Sequence, residues 1–397
     1  MKLNGIFKDN MVFQAGRKIR VFGICDPGDD ISVKLIDQGL IISESSCSST
    51  DGSFLVELPS RDYGGPYSVR IFSGNSDPVI LNNIYIGEVW LAGGQSNMEY
   101  PLGRSDNAKD VIASCPATNI HFYKVPVKNK YDADIEDGSS WVLIDKETCY
   151  DMSAIAFYFA RILEEHLEDA HIGIIGCYLG GTSISCWQSR SSLERTSEGR
   201  VFIDEYELKC RSRSSSEEYI EAEKEYAASV EEYENRVKEA LSIDPFMTYL
   251  EADQRVGAGP WPPPVTPLSI RHPGSFYDGM VSRISPFSIR GVIFYQGEED
   301  SAEHSSEYAV VFRTLIEEWR DVFKDEYLPF IFCKLPEFIE GDMNWASLQR
   351  QQEIVADTVP GVYMADLKGL GEIGNVHPSD KRSPGLLLAD IALKNIY

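Results

Sequence analysis

The chain has 397 residues, 43% of them apolar and 25% charged, with a formal net charge of −25. That length favours two or three domains and is ample for a large core. The acidity argues against a duplex nucleic-acid partner, which needs a lysine- or arginine-rich footprint, and against adsorption to anionic membranes.

The opening MKLNGIFKDNMVFQ has no apolar signal core or small-residue cleavage site, and no later apolar run is long enough to span a bilayer, so cytoplasmic is the expected location. The eight cysteines are scattered without a CxxC pair and read as reduced, structural thiols. From residue 1 to 85 the pattern is all-β. Ile31–Ile36, Phe54–Leu58 and Tyr67–Phe72 are strand candidates, separated by the turn signals Pro27-Gly28-Asp29, Asp51-Gly52 and Gly64-Gly65-Pro66. Strands without helices must bury their faces on one another, so an N-terminal β-sandwich domain is expected, with a structural or substrate-rim role.

From residue 86 to 397 strand and helix patterns alternate, which predicts a second domain built on a parallel sheet. The expected strands are Val89–Ala92, Ile172–Cys177, Gly291–Tyr295, Pro329–Lys334 and Val362–Leu367. Ser153–Leu167 has the apolar spacing of an amphipathic helix. One segment interrupts the alternation, a helical insertion at about 205–255. Between Ser212 and Asp244, residues Tyr219, Tyr226, Val230, Tyr233, Val237 and Leu241 form a heptad-like seam, which offers a packing face on the domain or a homodimer surface. A proline-rich loop follows at 259–264, and a terminal helix at Leu386–Ile396.

Polar and glycine residues collect where the first three parallel strands end, the edge at which open parallel sheets place their sites. Gly93-Gly94 breaks the first strand before Gln95-Ser96-Asn97-Met98, so Ser96 is either a helix cap or a nucleophile exposed on a tight turn. Acyl transfer needs a nucleophile, a base and oxyanion donors. Of the six histidines, His377 lies in a turn after the last strand, at the same sheet edge as Ser96, and is the candidate base. The Ser96 amide, the Gly180-Gly181 turn and the Gln296 side chain are the candidate oxyanion donors. No histidines stand at i, i+4 and no cysteine–histidine cluster is visible, so neither a metal nor a cofactor is expected. Glu298, Glu299 and Asp300 raise a glycosidase reading, but adjacent strand residues face opposite ways and two carboxylates must flank one bond.

The blocks GQSNM (94–98), GGTSISCW (180–187), SFYDGMV (275–281), FYQGEED (294–300) and NVHPSDK (375–381) together resemble sialate O-acetylesterase-like proteins of the SGNH hydrolases. The resemblance spans most of the chain except the heptad insertion. It implies an α/β fold, a flavodoxin-like three-layer α/β/α esterase domain, and a serine esterase that removes O-acetyl groups from carbohydrates through an acetyl-serine intermediate. Carried over, Ser96 is the nucleophile and His377 the base. Gln95, Asn97, Tyr100, Trp187, Tyr277 and Arg271 are the expected substrate contacts, the aromatics as a rim; a sialate carboxylate would need an arginine, for which Arg104, Arg190 and Arg271 are all candidates. Two positions depart from the family: Asn375 stands where an acid often precedes the histidine, and Asp278 where Asn is usual. The orienting acid is therefore open between Glu298, Asn375 or a bare dyad, with Glu298→Gln expected to cost more than Asn375→Ala. Sialic acids and neutral acetylated plant oligosaccharides (xylan, xyloglucan, mannan) are both compatible substrates, and an inactive carbohydrate-binding homologue is the non-enzyme alternative.

Overall fold

The structure is a computed structural model that describes residues 1–74, 76–127, 138–211, 215–339 and 344–397. Strands Asp30–Asp37, Ser53–Leu58 and Gly64–Ser73 grow around the three predicted N-terminal runs. Alternation explains them: Ile31, Val33 and Leu35 are buried while Ser32 and Lys34 between them are half-buried. Lys2–Leu3, Ile19–Ile24 and Ser53–Leu58 form a three-stranded sheet. Leu40–Ser48 pairs antiparallel with Asp30–Asp37. It lacks a buried face, so no hydrophobic alternation announced it.

The pivotal element is β1, Val79–Gly94, sixteen residues without a break. Its first half pairs antiparallel with Gly64–Ser73 and parallel with Val12–Gln14. Its second half is a central strand of the parallel sheet, whose remaining strands are β2 (Ile120–Lys124), β3 (Ile172–Tyr178), β4 (Gly291–Tyr295), β5 (Phe330–Lys334) and β6 (Val362–Asp366). The 85/86 boundary read from the sequence thus falls inside one strand, and the N-terminal layer shares backbone with the catalytic sheet. From Glu88 to Gly94 every residue of β1 is buried, because helices cover both faces of a parallel sheet.

The spatial order is β2-β3-β1-β4-β5-β6, with Trp141–Leu143 antiparallel on the outer edge of β2. Leaving β2 aside, the strands run 2-1-3-4-5, and the order reverses at β1. The crevice at the carboxyl end of β1 is therefore where this topology places a ligand.

The helices are α1 (Ser96–Glu99), α2 (Ala154–His166), α3 (Ser197–Arg211), α4 (Ser216–Ile243), α5 (Tyr249–Val256), α6 (Tyr308–Val322), α7 (Trp345–Thr358) and α8 (Arg382–Asn395), besides a few shorter turns. Helix α2 is capped by Ser153, whose hydroxyl accepts the Ala156 N–H at 3.2 Å, a contact typically worth about 1 kcal/mol. Its Phe159 meets Trp90 edge-on, whereas Phe312 of α6 stacks on Phe294. Trp90 is in register with Gly291, three residues from Phe294, so the two contacts lie on opposite faces of the sheet.

Helix α4 extends over most of the predicted 212–244 helix, whose residues 212–214 lie outside the described residues. Its tyrosine seam is engaged within the chain. Tyr219 donates to the Cys210 carbonyl, Tyr226 to Pro260 and Tyr233 to Asp253. Of the two roles open to the seam, a packing face on the domain or a homodimer surface, these bonds show the first, against α3, α5 and the proline-rich loop. All eight cysteines are free, and among the described residues no helix is long and apolar enough to cross a membrane.

Candidate active site

The end of β1 is built to present Ser96. Gly94 has φ +131°, and a Cβ on it would lie 2.0 Å from the Tyr295 carbonyl oxygen, so only glycine fits. The Gln95 N–H then donates to that same carbonyl at 3.0 Å, and the chain turns into α1 with Ser96 as its first residue. Ser96 is half-buried between Gln95 and Asn97, which are buried.

His377 arrives from the other end of the sequence, on the turn between β6 and α8. Its Nε2 lies 2.8 Å from Ser96 Oγ. Burial, with the nearby Lys381 charge, pushes its pKa down to about 4, so the imidazole is neutral at ordinary pH and able to accept a proton. Tyr249 of α5 sits edge-on to the ring at 5.7 Å. Arg104 lies over the Tyr249 ring and donates to the Met247 and Thr248 carbonyls, tying the helical segment to the site.

The expected partners of the imidazole are placed differently. Asn375 Oδ1 accepts the backbone N–H of His377 at 3.0 Å, and its Nδ2 donates to Glu372 at 2.8 Å. Glu372 in turn accepts the Ser379 N–H. Asn375 thus fixes the loop rather than the ring. Glu298 does not reach the histidine either: one oxygen accepts from Asn97 Nδ2, and the other is buried without a hydrogen-bond partner among the described residues. Asn97 also donates to the Val376 carbonyl at 2.9 Å and accepts from Lys381 Nζ, so Glu298 reaches His377 only through Asn97 and the backbone. Burial raises Glu298 to about 7 and lowers Lys381 to about 7, each opposed by the other's charge. Among the described residues, no carboxylate hydrogen-bonds Nδ1 of His377.

Two of the expected oxyanion donors are occupied. The Gly180 N–H is held by Glu99 Oε2 at 2.7 Å, and Glu99 also pairs with Lys124 at 3.3 Å. The Gln296 amide donates to the Thr182 carbonyl, Asp300 and Gln95, and its oxygen accepts from Tyr308. It is a satisfied core polar group, anchored by an Asp300 carboxylate that also holds Ser183 and the Ile184 N–H. Gly180 nonetheless adjoins the nucleophile, since a Cβ there would lie 3.3 Å from Ser96 Cβ. The Ser96 amide, at the first position of a helix, has no carbonyl four residues back to bond.

The expected sugar rim needs correction. Trp187 is fully buried and donates to Thr182 Oγ1, and Tyr100 is fully buried beneath Lys381 with its hydroxyl accepting the Tyr249 N–H. Tyr277 is half-buried, in the field of Glu318 and Asp321 of α6. Gln95 accepts from Gln296 and the Glu299 N–H, which makes it a support for the turn. Arg271 does stand near, donating from Nε and Nη2 to the Gly180 carbonyl at 3.3 and 3.2 Å. Glu298, Glu299 and Asp300 are not on a strand but enter a 3₁₀ turn. Glu298 and Asp300 point into separate buried networks, so they cannot flank one bond.

Sequence reasoning missed Glu99, Lys381, Glu372 and Tyr249. Glu99 directly follows the GQSNM block and Lys381 closes NVHPSDK, but their partners, Gly180 and Asn97, come from elsewhere in the chain. Tyr249 gave no signal, being part of the segment that looked like an insertion. Among the described residues, one group could offer ligands to a cation, Glu205, Glu303 and His304, whose donor atoms lie within 4.8 Å of one another; Glu303 is already bonded to Lys209.

Residues 86–209 and 261–390 match the sequence model of a family described as carbohydrate esterase, sialic acid-specific acetylesterase; residues 210–260 fall between the matched stretches. The sialate O-acetylesterase of Mus musculus is 23% identical over 399 residues, covering 91% of this chain and 67% of that protein. That of Homo sapiens is 20% identical over 396 residues, covering 91% and 64%. Among solved structures, a carbohydrate acetylesterase from Xanthomonas citri superposes with a TM-score of 0.73 at 23% identity, covering 100% of this chain and 75% of that one. The last is a likeness of fold.

Proposed function

This chain belongs to the carbohydrate esterase family of sialic acid-specific acetylesterases and is a carboxylic ester hydrolase; from that premise we propose that Ser96 is its nucleophile and His377 its general base. The observation that carries the reading is the 2.8 Å contact between Ser96 Oγ and His377 Nε2, made by residues 281 positions apart in the chain. The contact serves catalysis only with Nε2 unprotonated, and the depressed pKa of His377 favours that form.

In the first step Nε2 takes the Ser96 proton while Oγ forms a bond to the acetyl carbonyl carbon. The tetrahedral oxyanion is met by the Ser96 amide. Gly180 would add a second donor once Glu99 turns away from it. Collapse breaks the ester bond, and Nε2 returns the proton to the departing sugar hydroxyl. Water then attacks the acetyl-serine by the same route, with His377 taking and returning one proton, which regenerates Ser96 and releases acetate. Without an acid on Nδ1, the developing imidazolium is helped only by its surroundings, so this is a dyad in which Asn375 positions the histidine through the backbone.

The N-terminal layer stiffens β1, and the 205–255 segment brings Tyr249 to His377. The test is Ser96→Ala assayed on an aryl acetate, where turnover should fall by about 10³-fold or more. A variant with near-native kcat overturns the assignment.

A further inference from the structure

Outside the Ser96–His377 contact, one exposed aromatic stands out. Trp261 is 53% exposed, and its ring covers Gly181 so closely that a Cβ there would lie 2.1 Å from the indole. Gly181 follows Gly180, whose own Cβ position lies against Ser96. The Gly180-Gly181 turn thus touches Ser96 at one residue and the half-exposed indole at the next.

The loop that carries it is braced from below. Tyr226 of α4 donates to the Pro260 carbonyl at 3.3 Å, and Gly259 packs on the Tyr233 ring, where an added Cβ would sit 3.2 Å away. Tyr233 is itself fixed by Asp253 of α5. The segment between the two family-matched stretches thus builds a support for one indole. Beside that indole, Pro262, Pro263 and Pro264 wall a cavity of about 490 Å³ that reaches Gly181 and Ser183 at the end of β3.

We propose that Trp261 and this cavity form the subsite for the sugar that carries the ester, and that the subsite takes an uncharged pyranoside. The inference rests on the esterase reading and adds the leaving group to it. A pyranose ring has an apolar C–H face, and a rigid indole covers such a face at small entropic cost because it has only two side-chain torsions. The cavity volume suits one or two sugar rings. Its charge sets the second half of the proposal. Four carboxylates line it, Glu205, Glu299, Asp300 and Glu303, against two cations, Lys209 and Arg271. Lys209 pairs with Glu303, whereas the charge of Arg271 is not offset by the Gly180 carbonyl it holds. Burial raises Glu299 to about 7 and raises Asp300, so the excess of negative charge rests on Glu205 and, above pH 7, on Glu299. A sugar carboxylate would add a further negative charge to that lining.

Binding is measured by calorimetry on the Ser96→Ala protein, so that turnover plays no part, and kinetics on the native protein. Adding Trp261→Ala to Ser96→Ala should weaken the binding of an acetylated xylo-oligosaccharide about tenfold, and adding Trp261→Phe much less. In the Ser96-containing protein, Trp261→Ala should lower kcat/KM for that oligosaccharide about tenfold more than for vinyl acetate, chiefly through KM. Equal losses on both esters, or unchanged oligosaccharide binding, overturn the platform. Tighter binding of an O-acetylated sialic acid than of the neutral oligosaccharide overturns the charge selection. A native protein that releases acetate from neither ester sinks the esterase reading, while the calorimetric comparison still decides on Trp261.

Discussion

Two buried glutamates sit at opposite ends of the central sheet and differ in every other respect. Glu88, fully buried, receives two hydrogen bonds from Arg290 and one each from Gln14, Tyr63 and Tyr397. Those donors come from the N-terminal layer, from the residue just before β4 and from the last residue of the chain, so one carboxylate ties three regions together. Glu298, just past the end of β4, holds Asn97 with one oxygen, and its other oxygen has no hydrogen-bond partner among the described residues. A saturated buried charge stiffens a fold, because its donors replace the water it lost. An unsaturated one is held at a cost to stability, and such groups gather where chemistry is done. The end of the sheet far from Ser96 is built for rigidity, and the Ser96 end keeps a titratable group poised.

Arg290→Ala should break that contrast most severely, since it strips Glu88 of its only cation while leaving the carboxylate buried. A loss of about 3 kcal/mol in denaturant unfolding is expected; a loss under about 1 kcal/mol would mean the tyrosines and Gln14 suffice. At the opposite end the expected losses are catalytic. Asn375→Ala frees the His377 backbone and should lower kcat/KM about tenfold through misplacement of the base. Glu298→Gln, one residue further from the ring, should cost only about threefold. The geometry thus reverses the order that the sequence suggested, and a larger kinetic loss at Glu298 would restore it.

Stability should respond to Glu298 in a pH-dependent way. Its folded pKa of about 7 lies above the ordinary glutamate value of 4.5, because burial disfavours the charged form, so the folded state binds its proton more tightly. The contribution is fully present below pH 4.5 and is lost as pH rises through 7, so Glu298→Gln should gain on the native protein across that window. A variant whose stability runs parallel to the native protein from pH 4.5 to 7 contradicts this. The smallest effect is on rate: with His377 lowered to about 4, kcat/KM for a neutral ester should hold level from neutrality and reach half its plateau only near pH 4. A midpoint near 6.5 would show the imidazole to be as accessible as a free histidine.

Much of this was legible in the chain. Gly291–Tyr295 was read to the residue, Ile172–Tyr178 and Val362–Asp366 to within one residue, and Ser153 as the start of its helix, because apolar runs and periodicity are local properties. Ser96 and His377 were singled out for the same reason: a glycine-broken strand end and a turn after the last strand are visible in short windows, and the order of strands put both at one edge. What the sequence could not reveal is which polar atom faces which. Gln296, Trp187 and Tyr100 have the residue types of donors and sugar contacts, yet packing buries all three and saturates Gln296 with Asp300, Thr182 and Tyr308.

The sequence by itself pointed to most of the parallel strands, to the alternation of strand and helix, and to Ser96 and His377 as candidates, since each follows from side-chain pattern along the backbone, whereas the strand Leu40–Ser48 gave no such signal. Tertiary structure alone decided that Glu99 holds the Gly180 amide, that Asn375 grips backbone rather than ring, and that Trp261, on a loop braced by the intervening segment, overlies the turn beside Ser96. Those contacts join residues tens to hundreds of positions apart at hydrogen-bond or van der Waals range. A shift of about 1 Å unmakes a hydrogen bond, and no local pattern constrains distances that finely.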